Sequence, residues 1–193
     1  MEIKNNKIKS YTDIIGWFDF QDIYDLAVEK SKDGDLFLEV GCFMGKSTAY
    51  LLQKIKESNK DIQVAVIDIF TAECEHHNDL IKENGGGDLL EIFNNNMDDL
   101  GVKATAIKGK SEDMCNVFNP NTFQMIFIDA AHDYESVKAD LNNFYPKLKS
   151  GGIFAGHDYG EKSCGVGQAV DEFIKENNLK LDVMTASWIL IKP

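Results

Sequence analysis

The sequence of 193 residues has little proline and no long apolar run, and each shortage excludes a class of protein. It contains only 3 prolines and is 44% hydrophobic, which argues against a globally disordered chain. No stretch approaches the roughly 20 apolar residues of a membrane span. The first eleven residues are rich in Lys and Asn and lack the apolar core of a secretory signal. We therefore expect a cytoplasmic protein that folds as one domain over residues 1–193, since single domains commonly have about 100–200 residues.

Positive charge is also scarce. The 20 Lys and Arg residues face 32 Asp and Glu residues, which gives a formal net charge of −12. A chain this acidic lacks the basic surface with which proteins bind nucleic acids or anionic membranes, so we expect neither partner. The charge is compatible with an ordinary solvated surface, and also with carboxylates gathered around a cation.

The cysteines form no C-x-x-C pair. Cys42, Cys74, Cys115 and Cys164 are widely spaced along the chain. This scatter is not typical of a zinc knuckle or of a disulfide framework. Reduced thiols, as in a cytosolic protein, are the expectation.

What the sequence does contain is an alternation of short apolar runs with stretches of helical periodicity. Strands are predicted at 36–40, 61–70, 104–107, 123–129, 153–155, 179–184 and 187–192, and helices at 19–30, 47–57, 89–100, 134–148 and 165–177. Repeated βα units favour a doubly wound α/β sheet with helices on both faces, and the final hairpin adds one antiparallel strand.

Two segments lie outside this regular alternation. Residues 1–34 form a helical lead-in, in which Trp17 and Phe18 are predicted to pack. Residues 71–88 are polar and follow the second predicted strand at the carboxyl edge of the sheet. Such an insertion is either a lid that binds the acceptor or a mobile surface loop.

A glycine-containing loop joins the first predicted strand to the next helix, with the sequence Glu39-Val40-Gly41-Cys42-Phe43-Met44-Gly45-Lys46-Ser47. Glycines permit a sharp turn and the close approach of a ligand. The N–H groups at the start of the helix would bind an anionic group, to which Ser47 adds a hydroxyl. The loop lacks the third glycine of a dinucleotide fingerprint and the spacing of a phosphate loop. A tight turn without a ligand stays the alternative.

The pattern E-x-G-x-x-x-G-x-S in this loop resembles the first motif of class I S-adenosylmethionine-dependent methyltransferases. The stretches IDAAHDYESVKADL and GGIFAGHDY extend the likeness, so that residues 16–188 resemble small metal-dependent O-methyltransferases of the macrolide-sugar and catechol types. The resemblance implies a Rossmann-like, seven-stranded, mostly parallel sheet of order 3-2-1-4-5-7-6 with one antiparallel strand.

The resemblance also implies S-adenosyl-L-methionine as cofactor. The residues assigned to it are Glu39, Gly41, Phe43, Gly45, Ser47, Asp68, Ser111, Glu112 and Asp129. The loop glycines would pass close to the methionine part, Ser47 would hold its carboxylate, and Glu39 would lie near its amino group, directly or through water. Asp68 ends the second predicted strand, where an acid can accept hydrogen bonds from ribose hydroxyls, with a helix cap as the alternative. Ser111 and Glu112 would lie beside the adenine.

Polar side chains close two neighbouring predicted strands. Asp129 ends one strand and is followed by His132, and His157 and Asp158 end the next. Adjacent strand ends lie roughly 5 Å apart, so these groups can converge on Mg²⁺ or Mn²⁺; helix caps and exposed histidines are the alternative. The resemblance assigns the metal to Asp129, His157 and Asp158. Because relatives usually carry an acid at the His157 position, the options are a metal that prefers nitrogen, a His157 outside the ligand set, or no obligatory metal.

His132 stands where the resemblance implies a base that deprotonates the substrate. An imidazole titrates near neutral pH, which suits this role. A metal ligand and a structural hydrogen-bond donor are the other roles open to His132. We therefore expect methyl transfer to a hydroxyl of a small acceptor, such as a sugar or a glycosylated metabolite.

Other functions stay open at this point. One alternative is a cofactor-binding protein without transfer activity, and another, disfavoured by the missing glycine, is a nicotinamide-dependent oxidoreductase. Weaker candidates for contact with the acceptor are His76, His77, Tyr134, Trp188 and the loop 159–164. The alternatives without a role in binding are a packing role for Trp188 and an exposed loop for the His76–His77 pair. The sequence does not fix the oligomeric state, and a homo-oligomer is compatible with it.

Overall fold

The computed structural model describes residues 7–72, 74–160 and 165–193. Within these ranges the strands are β1 (Leu36–Val40), β2 (Gln63–Asp68), β3 (Thr105–Lys108), β4 (Phe123–Ile128), β5 (Leu148–Gly156), β6 (Asp182–Met184) and β7 (Ser187–Ile191). The α-helices are α1 (Gln21–Lys30), α2 (Lys46–Ser58), α3 (Glu75–Glu83), α4 (Leu89–Leu100), α5 (Ser111–Met114), α6 (Tyr134–Phe144) and α7 (Val166–Asn177). Short 3-10 turns cover Tyr11–Asp13, Cys115–Val117 and Tyr145–Lys147.

The strands form one sheet of order β3-β2-β1-β4-β5-β7-β6. The pairs from β3 to β5 are parallel, and β7 runs antiparallel to both of its neighbours, β5 and β6. The predicted fold class, strand order and single antiparallel strand are thus confirmed. The chain winds outward in both directions from β1 and β4, so a crevice opens beyond the carboxyl ends of these two strands.

Side chains of each strand alternate between two cores, one on each face of the sheet. In β1, Phe37 belongs to the core covered by α1, α2 and α4, whereas Leu38 and Val40 belong to the core covered by α6 and α7. The alternation places Glu39 on the side of α1, where its carboxylate meets the Tyr24 hydroxyl. An acid thus sits inside an apolar layer, directly below the glycine-containing loop.

Three local expectations need correction. The polar segment 71–88 contains the helix α3, which was not predicted. The predicted helix over 134–148 ends at Phe144, because Pro146 continues the chain as a 3-10 turn. As a result β5 begins at Leu148, earlier than the predicted strand at 153–155.

Two expectations from the sequence, the lack of a membrane-spanning segment and the presence of reduced cysteines, can be compared with the structure. Within the described ranges, no helix is long and apolar enough to span a bilayer. Cys42, Cys74 and Cys115 are free thiols, and Cys164 lies outside the described residues.

Candidate active site

A cavity of about 710 Å³ opens at the carboxyl ends of β1, β2 and β4. This volume is in the usual range for small-molecule sites, roughly 300–1,000 Å³. The predicted site residues on its wall are Gly41, Phe43, Ser47, Asp68, Ser111, Glu112, Asp129 and His132. The other predicted site residues, Glu39, Gly45, His157 and Asp158, are also described but are not on that wall.

Glycine is required at Gly41 because two backbone segments touch there. Its φ is +87°, and a Cβ atom would lie 2.0 Å from the backbone oxygen of Asp129. Gly45 has the same φ, and its Cβ would lie 2.7 Å from atoms of Met97 and Phe93. The loop therefore lies in close contact with the end of β4 at Gly41 and with α4 at Gly45, and neither position has room for a side chain.

The Asp68 carboxylate holds this loop in place. Its Oδ2 accepts hydrogen bonds from the backbone N–H groups of Cys42 (2.8 Å) and Phe43 (2.9 Å). Its Oδ1 accepts from the N–H of Phe70 at 2.6 Å. These bonds support Phe43, which has an unusual left-handed backbone with φ of +49°. Asp68 thus positions the loop as well as lining the cavity.

Glu39 lies beneath the loop and is fully buried. Its Oε1 accepts hydrogen bonds from the Tyr24 hydroxyl at 2.8 Å and from the Ser47 hydroxyl at 2.5 Å, and its Oε2 accepts from the Thr48 hydroxyl. Burial raises the pKa of Glu39 to about 7, although the hydroxyl donors oppose the shift. The Ser47 hydroxyl is engaged by Glu39, so the first N–H groups of α2 are the donors that a ligand can use.

Three ionisable side chains converge on one side of the cavity. Ligand atoms of Asp129, His132 and Asp158 all lie within 4.8 Å of one another. His132 Nε2 is 2.9 Å from Asp158 Oδ2 and 3.8 Å from Asp129 Oδ1. The Asp129 and Asp158 carboxylates raise the pKa of His132 to about 10, and His132 and His157 hold the pKa of Asp158 well below its usual range. Asp158 also has a left-handed backbone, with φ of +58°.

His157 contacts two carboxylates, those of Asp158 and Asp19. Its Nδ1 is 3.2 Å from Asp158 Oδ1, and its Nε2 is 2.8 Å from Asp19 Oδ1. Despite its burial, the carboxylates of Asp158, Asp129 and Asp19 raise the pKa of His157 to about 9. Both ring nitrogens therefore face carboxylates, and the described cluster that could hold a metal contains His132 in place of His157.

Two cavity residues were missed by sequence reasoning. Trp17 was expected to pack, yet it is 60% exposed and lines the cavity. Asp140 on α6 also lines the cavity and is buried, which raises its pKa to about 6, while a hydrogen bond with Ser111 opposes the shift. The burial of Asp140 could have been predicted from the sequence, because this acid lies on the same face of α6 as the apolar residues Val137 and Leu141.

The weaker acceptor candidates have different outcomes. His77 lines the cavity, and the adjacent His76 lies beside Trp17. Tyr134 donates its hydroxyl to Glu172 on α7. For Trp188 the packing alternative fits the structure, since the side chain is 1% exposed and its ring centroid lies 5.2 Å from that of Phe154. In the loop 159–164, residues 161–164 lie outside the described residues.

Similarity to known proteins agrees with this geometry. A family model for a methyltransferase domain matches residues 38–159. No curated protein matches the chain.

Solved structures share the fold at low sequence identity. The O-methyltransferase NovP is 21% identical, with a TM-score of 0.65, covering 89% of this chain and 78% of NovP. CalS11, a TDP-rhamnose 3'-O-methyltransferase of calicheamicin biosynthesis, is 17% identical, with a TM-score of 0.61 and 89% and 76% coverage. The S-adenosylhomocysteine-bound methyltransferase PaMTH1 of Podospora anserina is 16% identical, with a TM-score of 0.58 and 88% and 75% coverage. With a family match over most of its length and this sheet order, the chain belongs to the methyltransferase domain family and is a class I S-adenosylmethionine-dependent methyltransferase.

Proposed function

We propose that this methyltransferase acts on a hydroxyl group of a small acceptor, with a divalent cation at the Asp129–Asp158 pair and His132 as the base. The observation that supports the proposal is a shared cavity. The glycine-containing loop forms one part of its wall, and Asp129 and His132 form another. A cofactor on the loop and an acceptor near His132 would then meet inside one crevice.

The loop and its supports are suited to hold S-adenosylmethionine. When bound, this cofactor supplies a methyl group on a cationic sulfur. Gly41 presents bare backbone to the crevice, and the first turn of α2 offers N–H groups to the carboxylate of the cofactor. Asp68, which accepts three backbone hydrogen bonds, lines the same cavity and is proposed to accept a further hydrogen bond from a ribose hydroxyl.

Further residues are proposed for the rest of the cofactor. Phe43 and Gly45 are proposed to shape the loop around the methionine part of the cofactor. The buried Glu39 lies beneath the loop and is proposed to interact with the amino group of the cofactor. Ser111 and Glu112, at the start of α5, line the same cavity and are proposed to flank the adenine.

The donor set of the acidic cluster suits a divalent cation. Asp129 and Asp158 would be the carboxylate ligands, and the third ligand is His157, as the resemblance implies, or His132, as the shared cluster suggests. Because imidazole nitrogen favours Mn²⁺ over Mg²⁺, Mn²⁺ is the better fit. When bound, the cation would offset the two carboxylates that hold the His132 proton and would lower the pKa of the acceptor hydroxyl.

His132 is proposed to take the acceptor proton. Its ring is about half exposed, and Asp158 holds Nε2 at 2.9 Å. If Nε2 carries the hydrogen toward Asp158, Nδ1 is the ring nitrogen that accepts a proton. With the cofactor bound, the acceptor oxygen would attack the methyl carbon in line as its O–H bond breaks and the proton passes to Nδ1. The methyl–sulfur bond would break with its electron pair staying on sulfur, so that S-adenosylhomocysteine is the leaving group.

Replacement of His132 tests its proposed role as the base. With methyl-labelled S-adenosylmethionine, MnCl₂ and a set of catechol and sugar acceptors, His132→Gln should lower kcat by about 10²–10⁴-fold. Its affinity for S-adenosylhomocysteine should stay within about twofold of the unmutated chain. Glu135→Gln, an exposed acid in the first turn of α6, is the control and should leave kcat unchanged.

Calorimetric titration with Mn²⁺ separates the base from the ligand. If His157 is the third ligand, His157→Gln weakens Mn²⁺ binding and His132→Gln does not. The reverse result makes His132 a ligand and rejects it as the base. Binding of S-adenosylhomocysteine with no methylation of any acceptor would favour a cofactor-binding protein without transfer activity.

A further inference from the structure

Asp19 is an exposed acid that contacts a residue of the candidate active site. It lies two positions before α1, and its side chain is 58% exposed. Asp19 Oδ1 is nevertheless 2.8 Å from His157 Nε2, although the two residues are 138 positions apart in sequence. Exposed ion pairs contribute little to the stability of a fold, so the consequence of this contact lies in what it does to the His157 ring.

The His157 ring is held from several directions. Its Nε2 faces Asp19, its Nδ1 is 3.2 Å from Asp158 Oδ1, and its centroid is 5.2 Å from that of the Phe20 ring. Its backbone N–H donates a hydrogen bond to the Ile128 carbonyl at the end of β4. With contacts at both ring nitrogens and at the ring itself, the imidazole is held in one orientation.

The carboxylate of Asp19 is itself kept in place by the neighbouring residue. Phe20 is buried, and its ring stacks on that of Phe127 in β4 with centroids 4.3 Å apart. The Phe20 ring also lies 4.8 Å from Phe18 and 5.3 Å from Tyr24. Because Phe20 is fixed in the core, the backbone of Asp19 is fixed beside His157.

Asp158 links the held ring to the acidic cluster, by which we mean Asp129, His132 and Asp158. Its Oδ1 faces His157, and its Oδ2 is 2.9 Å from His132 Nε2. Asp158 also has a left-handed backbone, and such a conformation persists where the surrounding structure holds it. An unbroken series of contacts therefore runs from exposed Asp19 through His157 and Asp158 to His132 on the cavity wall.

We propose that Asp19 is a positioning residue for the acidic cluster, and thereby for the cation proposed there, and that it acts through His157. The proposal rests on the proposed function and adds to it a residue outside the cluster. A histidine at a metal site commonly has its other ring nitrogen on a carboxylate, which fixes the ring, and loss of such a partner typically weakens metal binding 10–100-fold. Asp19 is that partner for His157, both where His157 binds the cation and where it orients Asp158.

A double-mutant cycle measures this action. MnCl₂ is titrated by calorimetry into the unmutated chain, Asp19→Ala, His157→Gln and the double variant. Asp19→Ala should weaken Mn²⁺ binding about tenfold. In the His157→Gln background the same change should alter the affinity less than about twofold, because the residue through which Asp19 acts is gone. Affinity for S-adenosylhomocysteine should stay within about twofold in Asp19→Ala.

Asp22→Ala is the control for the loss of one negative charge. Asp22 is an exposed acid in the first turn of α1, three positions after Asp19. Its replacement removes the same charge from the same part of the chain and should leave the Mn²⁺ affinity within about twofold.

Unchanged Mn²⁺ affinity in Asp19→Ala would overturn the proposal. An equal loss in the His157→Gln background would do so too, because Asp19 would then act by its charge at a distance. If the unmutated chain binds no Mn²⁺, the proposed cation fails separately, and NMR of the ring nitrogens in the cation-free chain still tests the positioning. The chain has only 4 histidines. Asp19→Ala should shift the signals of both His157 and His132, and an unmoved His132 signal would reject the action of Asp19 on the cluster.

Discussion

At the scale of single residues, the site depends on backbone that allows no side chain and on a carboxyl group that is fully buried. Gly41 touches the β4 end so closely that a Cβ would lie 2.0 Å from the Asp129 backbone oxygen. Glu39 is enclosed by three hydroxyl groups beneath the loop. The close backbone contact at Gly41 limits space, and the burial of the Glu39 carboxyl group affects charge. The two can therefore be tested by separate substitutions.

Gly41→Ala should destabilise the fold far more than a matched glycine substitution. Gly34 has a similar φ of +81° against +87° for Gly41, but a Cβ at Gly34 would meet nothing within 4 Å. Gly34→Ala therefore adds backbone strain alone, about 1 kcal/mol, and Gly41→Ala adds a clash for a total of about 3 kcal/mol. Urea unfolding of both variants measures the difference. Equal losses would show that the close approach at Gly41 does not constrain the fold.

Glu39 should give stability a pH dependence that Glu39→Gln lacks. Its pKa is raised from the ordinary value of 4.5 to about 7 in the folded chain. The protonated acid therefore contributes fully below about pH 4.5, and its contribution is lost as the pH rises through about 7. Between those values, the unfolding free energy of the unmutated chain should fall by up to about 3 kcal/mol relative to Glu39→Gln. A difference between the two proteins that does not change with pH would contradict the burial of this carboxyl group.

At the scale of elements, the regular parts of the fold could be predicted and the insertion could not. The helix at 89–100 matches α4 because its apolar residues have clear 3.6-residue spacing. Among the described residues of 71–88, the apolar side chains packed against the core are Leu80 and Ile81, and two apolar residues are too few to reveal the helical spacing of α3. The prediction that Trp17 packs was wrong in extent. Its ring lies beside those of Phe43 and His77, which are distant in sequence, but 60% of the side chain stays exposed.

The helix α3 should open locally more easily than α2. None of its 9 residues, all of them described, is buried, whereas α2 buries Ala49, Leu51, Leu52 and Ile55. Helices with few buried contacts open with small free energies, so amides of α3 should exchange at least about 100-fold faster than those in the middle of α2. Hydrogen exchange followed by mass spectrometry measures both helices in one experiment. Comparable protection would mean that α3 is held as firmly as the core.

At the scale of the whole molecule, the net charge of −12 is mostly spread over the surface, but part of it is concentrated at the crevice. Asp68 and Asp129 line the cavity, and Asp158 lies beside it. The sequence could predict this gathering, because each acid ends a strand and parallel strand ends meet at one edge. It could not predict that His132 would join the acidic pair in place of His157, since His157 Nε2 is held at 2.8 Å by Asp19, which is 138 residues away in sequence.

A divalent cation should therefore stabilise the whole chain. A ligand that binds only the folded state adds about 2.7 kcal/mol at a concentration 100 times its Kd. MnCl₂ should raise the Tm relative to EDTA, and Asp158→Asn should remove most of that rise. Thermal unfolding followed by circular dichroism measures it. A rise that persists in Asp158→Asn would place the cation elsewhere on this acidic molecule.

The central claim is that the crevice above β1 and β4 binds S-adenosylmethionine, and isothermal titration of S-adenosylhomocysteine tests it most directly. We predict one site per chain with a Kd of roughly 1–100 µM, in the range of typical KM values. NADH should give no heat, because the loop between Gly41 and Gly45 lacks the third glycine of a dinucleotide site. A folded protein that releases no heat with S-adenosylhomocysteine, or that binds NADH tightly, would contradict the account.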